Sequence, residues 1–233
     1  MPDASSPRDL DGVRGVDLST TVVVALGTRA ATQDGDHRAL AELVGRLTGV
    51  AGASITLSQV CPNCGRSGHG PLRVELGGAA VDSPTVHVSL ARADGRLALA
   101  VTAAGPVGID LESVGALARA PLDDVLLSTA EADAVAALHP RSATAAVTAI
   151  WTAKEAVLKA AGVGLRVDPR DLTIARAPDE VPAEHSPGPA LVGWPAAPFP
   201  LNQAHLISVA APEGLVAAVA VVCARRPRLY LDR

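Results

Sequence analysis

The sequence predicts an α+β fold built from two similar α/β halves, on three observations. Runs rich in Val and Thr, which read as strands, alternate along the chain with stretches whose apolar residues recur at helical spacing. A hairpin-like segment occurs twice. Val88-Ser89-Leu90-Ala91 followed by Gly95-Arg96-Leu97-Ala98 matches Ile207-Ser208-Val209-Ala210 followed by Gly214-Leu215-Val216-Ala217, at a constant offset of 119 residues. That offset is about half of the 233 residues, which suggests an internal repeat. The expected halves are residues 1–105 and 106–233.

The elements follow in order. Ser19 to Leu26 is rich in Val and Thr and reads as a strand. Asp36 offers an N-cap to a helix through Leu47, with Leu40, Leu43, Val44 and Leu47 on its apolar face. A strand at Ser54 to Leu57 precedes a Gly- and Cys-rich loop from Cys61 to Pro71. Short strands are expected near Val74, at Thr85 to Ala91, at Leu97 to Ala103 and at Val107 to Leu111. Ser128 and Glu131 have capping-box spacing ahead of a helix through Leu138. An Ala-rich helix from about Ser142 to Ala161 ends at Gly162 and Gly164. Seven prolines between Pro178 and Pro200 predict a surface loop. Leu206 to Ala210 and Leu215 to Ala224 then read as a strand pair turning at Pro212 to Gly214.

Composition narrows the function classes. Hydrophobic residues make up 48% of the chain and aromatics 2%, so the core must come from Ala, Val and Leu. With 20 Lys and Arg against 24 Asp and Glu, the net charge of −4 excludes nucleic acid as an obvious electrostatic partner. Three cysteines are too few for a secreted disulfide scaffold and fit a reducing cytosol. Met1 to Asp11 carries three aspartates and no early apolar run, so it lacks the features of a signal peptide. The most apolar stretch, Leu215 to Ala224, is half of the ~20 residues a membrane span needs. A cytoplasmic chain without a membrane partner is the expectation.

Two clusters can carry chemistry. Asp110 and Glu112 stand two apart at the end of an apolar strand, so both carboxylates share a face and repel unless a proton or cation lies between them. A hard cation such as Mg²⁺ takes oxygen ligands of this kind; the plain alternative is a solvated acidic turn. Glu155 and Lys159 stand four apart on one helix face, either as an ordinary surface ion pair or as a base or metal ligand beside a phosphate contact. A third group, Cys61-Pro62-Asn63-Cys64 with His69, looks like half of a zinc knuckle, with a loop tied by cysteine packing as the alternative.

Gly108-Ile109-Asp110-x-Glu112, 38 residues, then Trp151-x-x-Lys154-Glu155-Ala156-x-x-Lys159, together resemble the signature of the 4′-phosphopantetheinyl transferase superfamily. Length and the repeated hairpin point to its larger surfactin-synthetase type, a pseudo-dimer of two α/β halves in one monomeric chain. The resemblance implies transfer of the phosphopantetheine arm of coenzyme A to a serine of an acyl or peptidyl carrier protein, in fatty acid, polyketide or nonribosomal peptide biosynthesis. Adenosine 3′,5′-bisphosphate would leave. It further implies that Asp110, Glu112 and Glu155 hold Mg²⁺ (or Mn²⁺) against the coenzyme A pyrophosphate. Glu155 would deprotonate the carrier serine, and Lys159 would stabilise charge on the pyrophosphate. Ser89 and Arg38 match the family's phosphate-contacting serine and the helix arginine that binds the 3′-phosphate. Leu90 stands where the family has a histidine, and Gly70-Pro71 lacks the family's intervening basic residue. A non-catalytic binding module of the same fold is the alternative reading.

Overall fold

The computed structural model describes residues 15–78, 84–120, 123–176 and 188–232. The acidic N-terminal segment Met1 to Asp11 and the first part of the proline-rich stretch, 178–187, lie outside them.

One of three apolar clusters lies between two sheets, a second under the first helix and the third around the longest helix. Strand β1 (Thr21–Thr28) is followed by helix α1 (Gln33–Thr48), strands β2 (Ile55–Val60) and β3 (Ser67–Leu76), and the hairpin β4 (His87–Ala93) and β5 (Arg96–Thr102). Next come β6 (Val107–Ser113), the helices α2 (Val114–Arg119), α3 (Asp123–Leu126), α4 (Thr129–Ala136) and α5 (Pro140–Ala160), then β7 (Thr173–Ala175) and β8 (Ala190–Gly193). The hairpin β9 (Ala204–Val209) and β10 (Leu215–Val222) precedes the last strand, β11 (Arg228–Asp232). One sheet has the order β11-β1-β5-β4 and the other β6-β10-β9, while β2-β3 and β7-β8 form separate two-stranded ladders. The orders β1-β5-β4 and β6-β10-β9 correspond strand for strand.

Alternation sorts the side chains into layers. Val22 and Val24 of β1, Ala98 and Ala100 of β5, and Ala217, Val219 and Val221 of β10 share one apolar cluster between the two sheets. Val23, Leu97, Leu99 and Val101 point the other way, onto Leu40, Leu43 and Val44 of α1. Ala218 and Ala220 of β10 face α5, through Ile150, Ala153, Val157 and Leu158. Small residues on inner faces let these layers approach closely, which suits a chain poor in aromatics.

Several expected boundaries move. The cap of α1 is Thr32, whose Oγ1 accepts from Gly35 N–H at 3.2 Å. Asp36 lies inside the helix, fully buried, where it accepts from Arg92 Nε at 2.5 Å and from Ala30 N–H at 2.8 Å. The Cys61 to Pro71 stretch is a short turn followed by β3 from Ser67, and the proline-rich region contains β8, ahead of the buried Trp194. The two similar hairpins also differ in register. Ala91 pairs with Ala98, but Ala217 pairs with Val209 and not with Ala210, the residue that the 119-residue offset would align. The capping box of α4 forms as expected, with Glu131 Oε2 accepting from Ser128 N–H at 2.7 Å.

Gly108 sets how closely β6 and α5 pack. A Cβ there would collide with the carbonyl of Ala156 and the amide of Ala160, and would come within 2.7 Å of Lys159 Cβ. Because two of the three obstacles are backbone, a methyl group must push strand and helix apart. Gly108→Ala is therefore expected to cost at least about 2–3 kcal/mol. A denaturant midpoint unchanged from the parent would show that the contact is looser than this.

Candidate active site

β6 presents alternate residues to α5. Val107, Ile109 and Leu111 face the intersheet core, which leaves Gly108, Asp110 and Glu112 on the helix side. On α5 between positions 151 and 160, Trp151, Glu155 and Lys159 are half-buried while every other residue is buried. These three stand four apart, one above another on a single helix face. Both expected pairs therefore meet along one line of contact.

The line is charged and largely dry. Lys159 Nζ donates to Asp110 Oδ1 at 2.5 Å and to the Ile109 carbonyl at 3.2 Å. Trp151 Nε1 donates to Glu112 Oε1 at 3.1 Å, which orients the second carboxylate. Asp110 is 4% exposed and its Oδ2 is buried without a hydrogen-bond partner. A buried carboxylate oxygen without a partner is costly, and the chemistry of this atom fits a cation or a proton.

Burial raises the Asp110 carboxyl above its ordinary range despite Lys159. Burial, then the charge of Asp110, raises Glu112. Glu155 goes up to about 7: burial is the main cause, Lys159 opposes it, and Asp110 and Glu112 add to it. The folded chain thus holds a proton on Glu155 between roughly pH 4.5 and 7 that the unfolded chain has released. Stability should fall as pH rises through that window and level off above it. Glu155→Gln removes the share of this slope that belongs to Glu155, leaving that of Asp110 and Glu112. The variant should match the parent near pH 4 and exceed it by on the order of 2–3 kcal/mol above pH 7. Unfolding free energies across pH check this, and a difference independent of pH would contradict the raised pKa.

The other expected site residues behave differently. Ser89 is 7% exposed, and its Oγ accepts from the Ile109 N–H at 3.1 Å, bridging β4 to the site strand one residue before Asp110. Leu90 packs on the cluster under α1, on the opposite face of β4. Arg38 is exposed on α1, and among the described residues no hydrogen bond or ion pair joins it to Asp110, Glu112, Glu155 or Lys159. The three carboxylates do not bring one oxygen each within 4.8 Å of one another.

Sequence reasoning left Lys154, Trp151 and Gly108 without roles. Lys154 is fully buried and donates to Glu131 Oε2 at 2.5 Å and to the carbonyls of Leu126 and Pro169 at 2.7 and 2.9 Å. It is a structural anchor beside Glu155, pointed away from the carboxylates. A glycine in mid-strand and a tryptophan four residues before Glu155 were the available signals for the other two.

Residues 106–210 match the family model of the 4′-phosphopantetheinyl transferase superfamily, a span that contains all of β6 and α5. A search of curated proteins finds no match. Among solved structures, the holo-[acyl-carrier-protein] synthase of Thermotoga maritima is similar at 24% identity and a TM-score of 0.40, over 52% of this chain and 64% of its own. A holo-(acyl-carrier-protein) synthase from Bacillus anthracis str. Ames, in complex with CoA (3′,5′-ADP), is similar at 22% identity and a TM-score of 0.39, over 51% of this chain and 96% of its own. The match thus spans less than two thirds of the Thermotoga synthase.

Proposed function

We propose that the chain is a 4′-phosphopantetheinyl transferase that moves the phosphopantetheine arm of coenzyme A to a serine of an acyl or peptidyl carrier protein. The observation that carries this reading is the unpartnered Oδ2 of buried Asp110, set beside Glu112, Glu155 and Lys159 within the segment that matches the family model. An orphaned anionic oxygen among raised carboxylates suits a divalent cation, and Asp110, Glu112 and Glu155 are the residues that would hold Mg²⁺ once their oxygens, which do not all lie within 4.8 Å of one another, are drawn together. Bound there, the ion would neutralise charge on the coenzyme A pyrophosphate.

The chain's own groups divide the remaining work. Glu155, beside Lys159 and facing Asp110 and Glu112, is the group that would take the proton of the carrier serine. The serine oxygen then forms a bond to the β-phosphorus, and the bond to the departing adenosine 3′,5′-bisphosphate breaks. Lys159, anchored on Asp110 and the Ile109 carbonyl, supplies positive charge on the side where the pyrophosphate would sit. Trp151 and Ser89 position Glu112 and the Asp110 segment from behind.

The corresponding orders β1-β5-β4 and β6-β10-β9 support reading residues 1–105 and 106–233 as two related halves of the surfactin-synthetase type, with β11 of the second half completing the sheet of the first. Among the described residues no helix is long and apolar enough to cross a membrane. A second reading, a binding module without turnover, is favoured by one observation: Lys159 is already committed to Asp110. Incubating the protein with coenzyme A, Mg²⁺ and a panel of apo carrier proteins, then weighing the carriers, separates the two. A carrier heavier by one phosphopantetheine supports the transferase. Coenzyme A binding with every carrier unmodified supports the module.

A further inference from the structure

A second cluster of ligating side chains lies at the tip of the β2-β3 hairpin. Cys61 and Cys64 occupy the turn after β2 and His69 lies on β3, and one donor atom from each falls within 4.8 Å of the others. Cys64 Sγ and His69 Nε2 are 3.2 Å apart. Around tetrahedral zinc, bonds of about 2.3 Å to sulfur and 2.0–2.1 Å to nitrogen set neighbouring donors about 3.5–3.8 Å apart. Shifts on the order of 1 Å would close the three around one ion.

The backbone is arranged to bring these groups together. Val60 pairs with Ser67 but Gln59 pairs with Leu72, so Gly68, His69, Gly70 and Pro71 loop out of the ladder and His69 folds back over the turn. Gly70 makes this possible, because at its φ of +100° a Cβ would lie 2.8 Å from Cys61 Cα. Cys61 N–H donates to the Arg66 carbonyl at 3.0 Å and Gly65 N–H to the Cys61 carbonyl at 2.9 Å, closing the turn. Backbone N–H groups of Cys64 and Asn63 point at Cys61 Sγ, an arrangement that suits a metal-bound thiolate. Two soft sulfurs and an imidazole favour zinc over the hard cations that carboxylates take.

We propose that Cys61, Cys64 and His69 bind one Zn²⁺ ion, with the fourth coordination position left to water or an external ligand. Among the described residues no fourth His, Cys, Asp or Glu donor joins the three. Binding releases the remaining thiol protons to solvent and pins the hairpin tip. The tip has neighbours that would feel it. Gln59 Nε2 donates to the Gly70 carbonyl at 3.0 Å, Gln33 of α1 donates to Gln59 Oε1 at 3.2 Å, and Pro71 lies against Gly162 just past the end of α5.

The test uses the full chain, reduced and stripped with a chelator, then titrated with Zn²⁺ against a chromophoric competitor and, separately, with Co²⁺. One equivalent of zinc should bind, and the cobalt form should show intense tetrahedral d–d bands with a thiolate-to-metal charge-transfer band. Cys61→Ser, Cys64→Ser and His69→Ala should each weaken zinc binding about a hundredfold or more, whereas Cys223→Ser and Asp110→Asn should not. Far-ultraviolet circular dichroism of each variant confirms that the fold persists. No zinc uptake by the parent, equal uptake after either change of Cys61 or Cys64, or only weak octahedral cobalt bands would overturn the proposal.

Discussion

Glu155→Gln is expected to lower phosphopantetheine transfer by a factor on the order of 10² or more while leaving a folded chain. Glutamine has the shape of glutamate and fits the same place between Trp151 and Lys159 on α5, so packing against β6 is kept. What it loses is the ability to take a proton, together with one negative charge facing Asp110 and Glu112. The change lowers turnover by removing the base, and because Glu155 is also one of the three proposed Mg²⁺ ligands it should weaken metal-dependent coenzyme A binding as well. Single-turnover mass measurement of carrier modification reads this directly. Near-parental rates, in a variant that also shows the pH-dependent gain in stability, would assign Glu155 to electrostatics alone and move the proton acceptor elsewhere.

Lys154→Met should be the most damaging single change to stability, at about 3–5 kcal/mol. Methionine roughly fills the volume of the lysine stem but leaves the Glu131 carboxylate and the carbonyls of Leu126 and Pro169 without their shared donor. Glu131 cannot move out to water, since its two oxygens also accept from Ser128 N–H and Ile174 N–H at 2.7 Å each. Measured against a total of about 5–15 kcal/mol for a typical domain, the loss should appear as a large drop in urea midpoint. Adding Glu131→Gln should restore part of it by removing the stranded charge. A loss below about 1 kcal/mol would mean that water reaches the carboxylate, contrary to its burial.

Particular residues show what could be read from the sequence. Asp110 with Glu112 and Glu155 with Lys159 were legible because periods of two and four depend only on local geometry, and β6 and α5 obey both. The helix start was misplaced because Asp36 has the chemistry of a good cap, whereas its carboxylate is claimed by Arg92, 56 positions away in sequence. Lys154 looked like any helix lysine, since its partners come from three separate segments that only the fold assembles. Ser89 matched a ligand-contacting position, yet its oxygen accepts a backbone N–H of the neighbouring sheet. The identical offset of the two hairpins concealed a register change, because turn length and not side-chain pattern decides which residues face each other. Nor did Arg228 to Asp232 look like a strand, because what makes it one is its partner near the other end of the chain.

That partner has a bearing on how the molecule is made. β11 lies parallel to β1, with Thr21 beside Arg228 and Ala25 beside Asp232, and Arg46 of α1 holds the Asp232 carboxylate at 2.5 Å. A ribosome delivers β11 some two hundred residues after β1. Until then one edge of β1, with the core valines Val22 and Val24 on the same strand, has no hydrogen-bonding partner from this chain. The first sheet is thus completed only after the carboxylate-bearing strand and helix have been synthesised. Closing so long a loop makes its assembly slow, and it ties the integrity of the layer around β1 to β11.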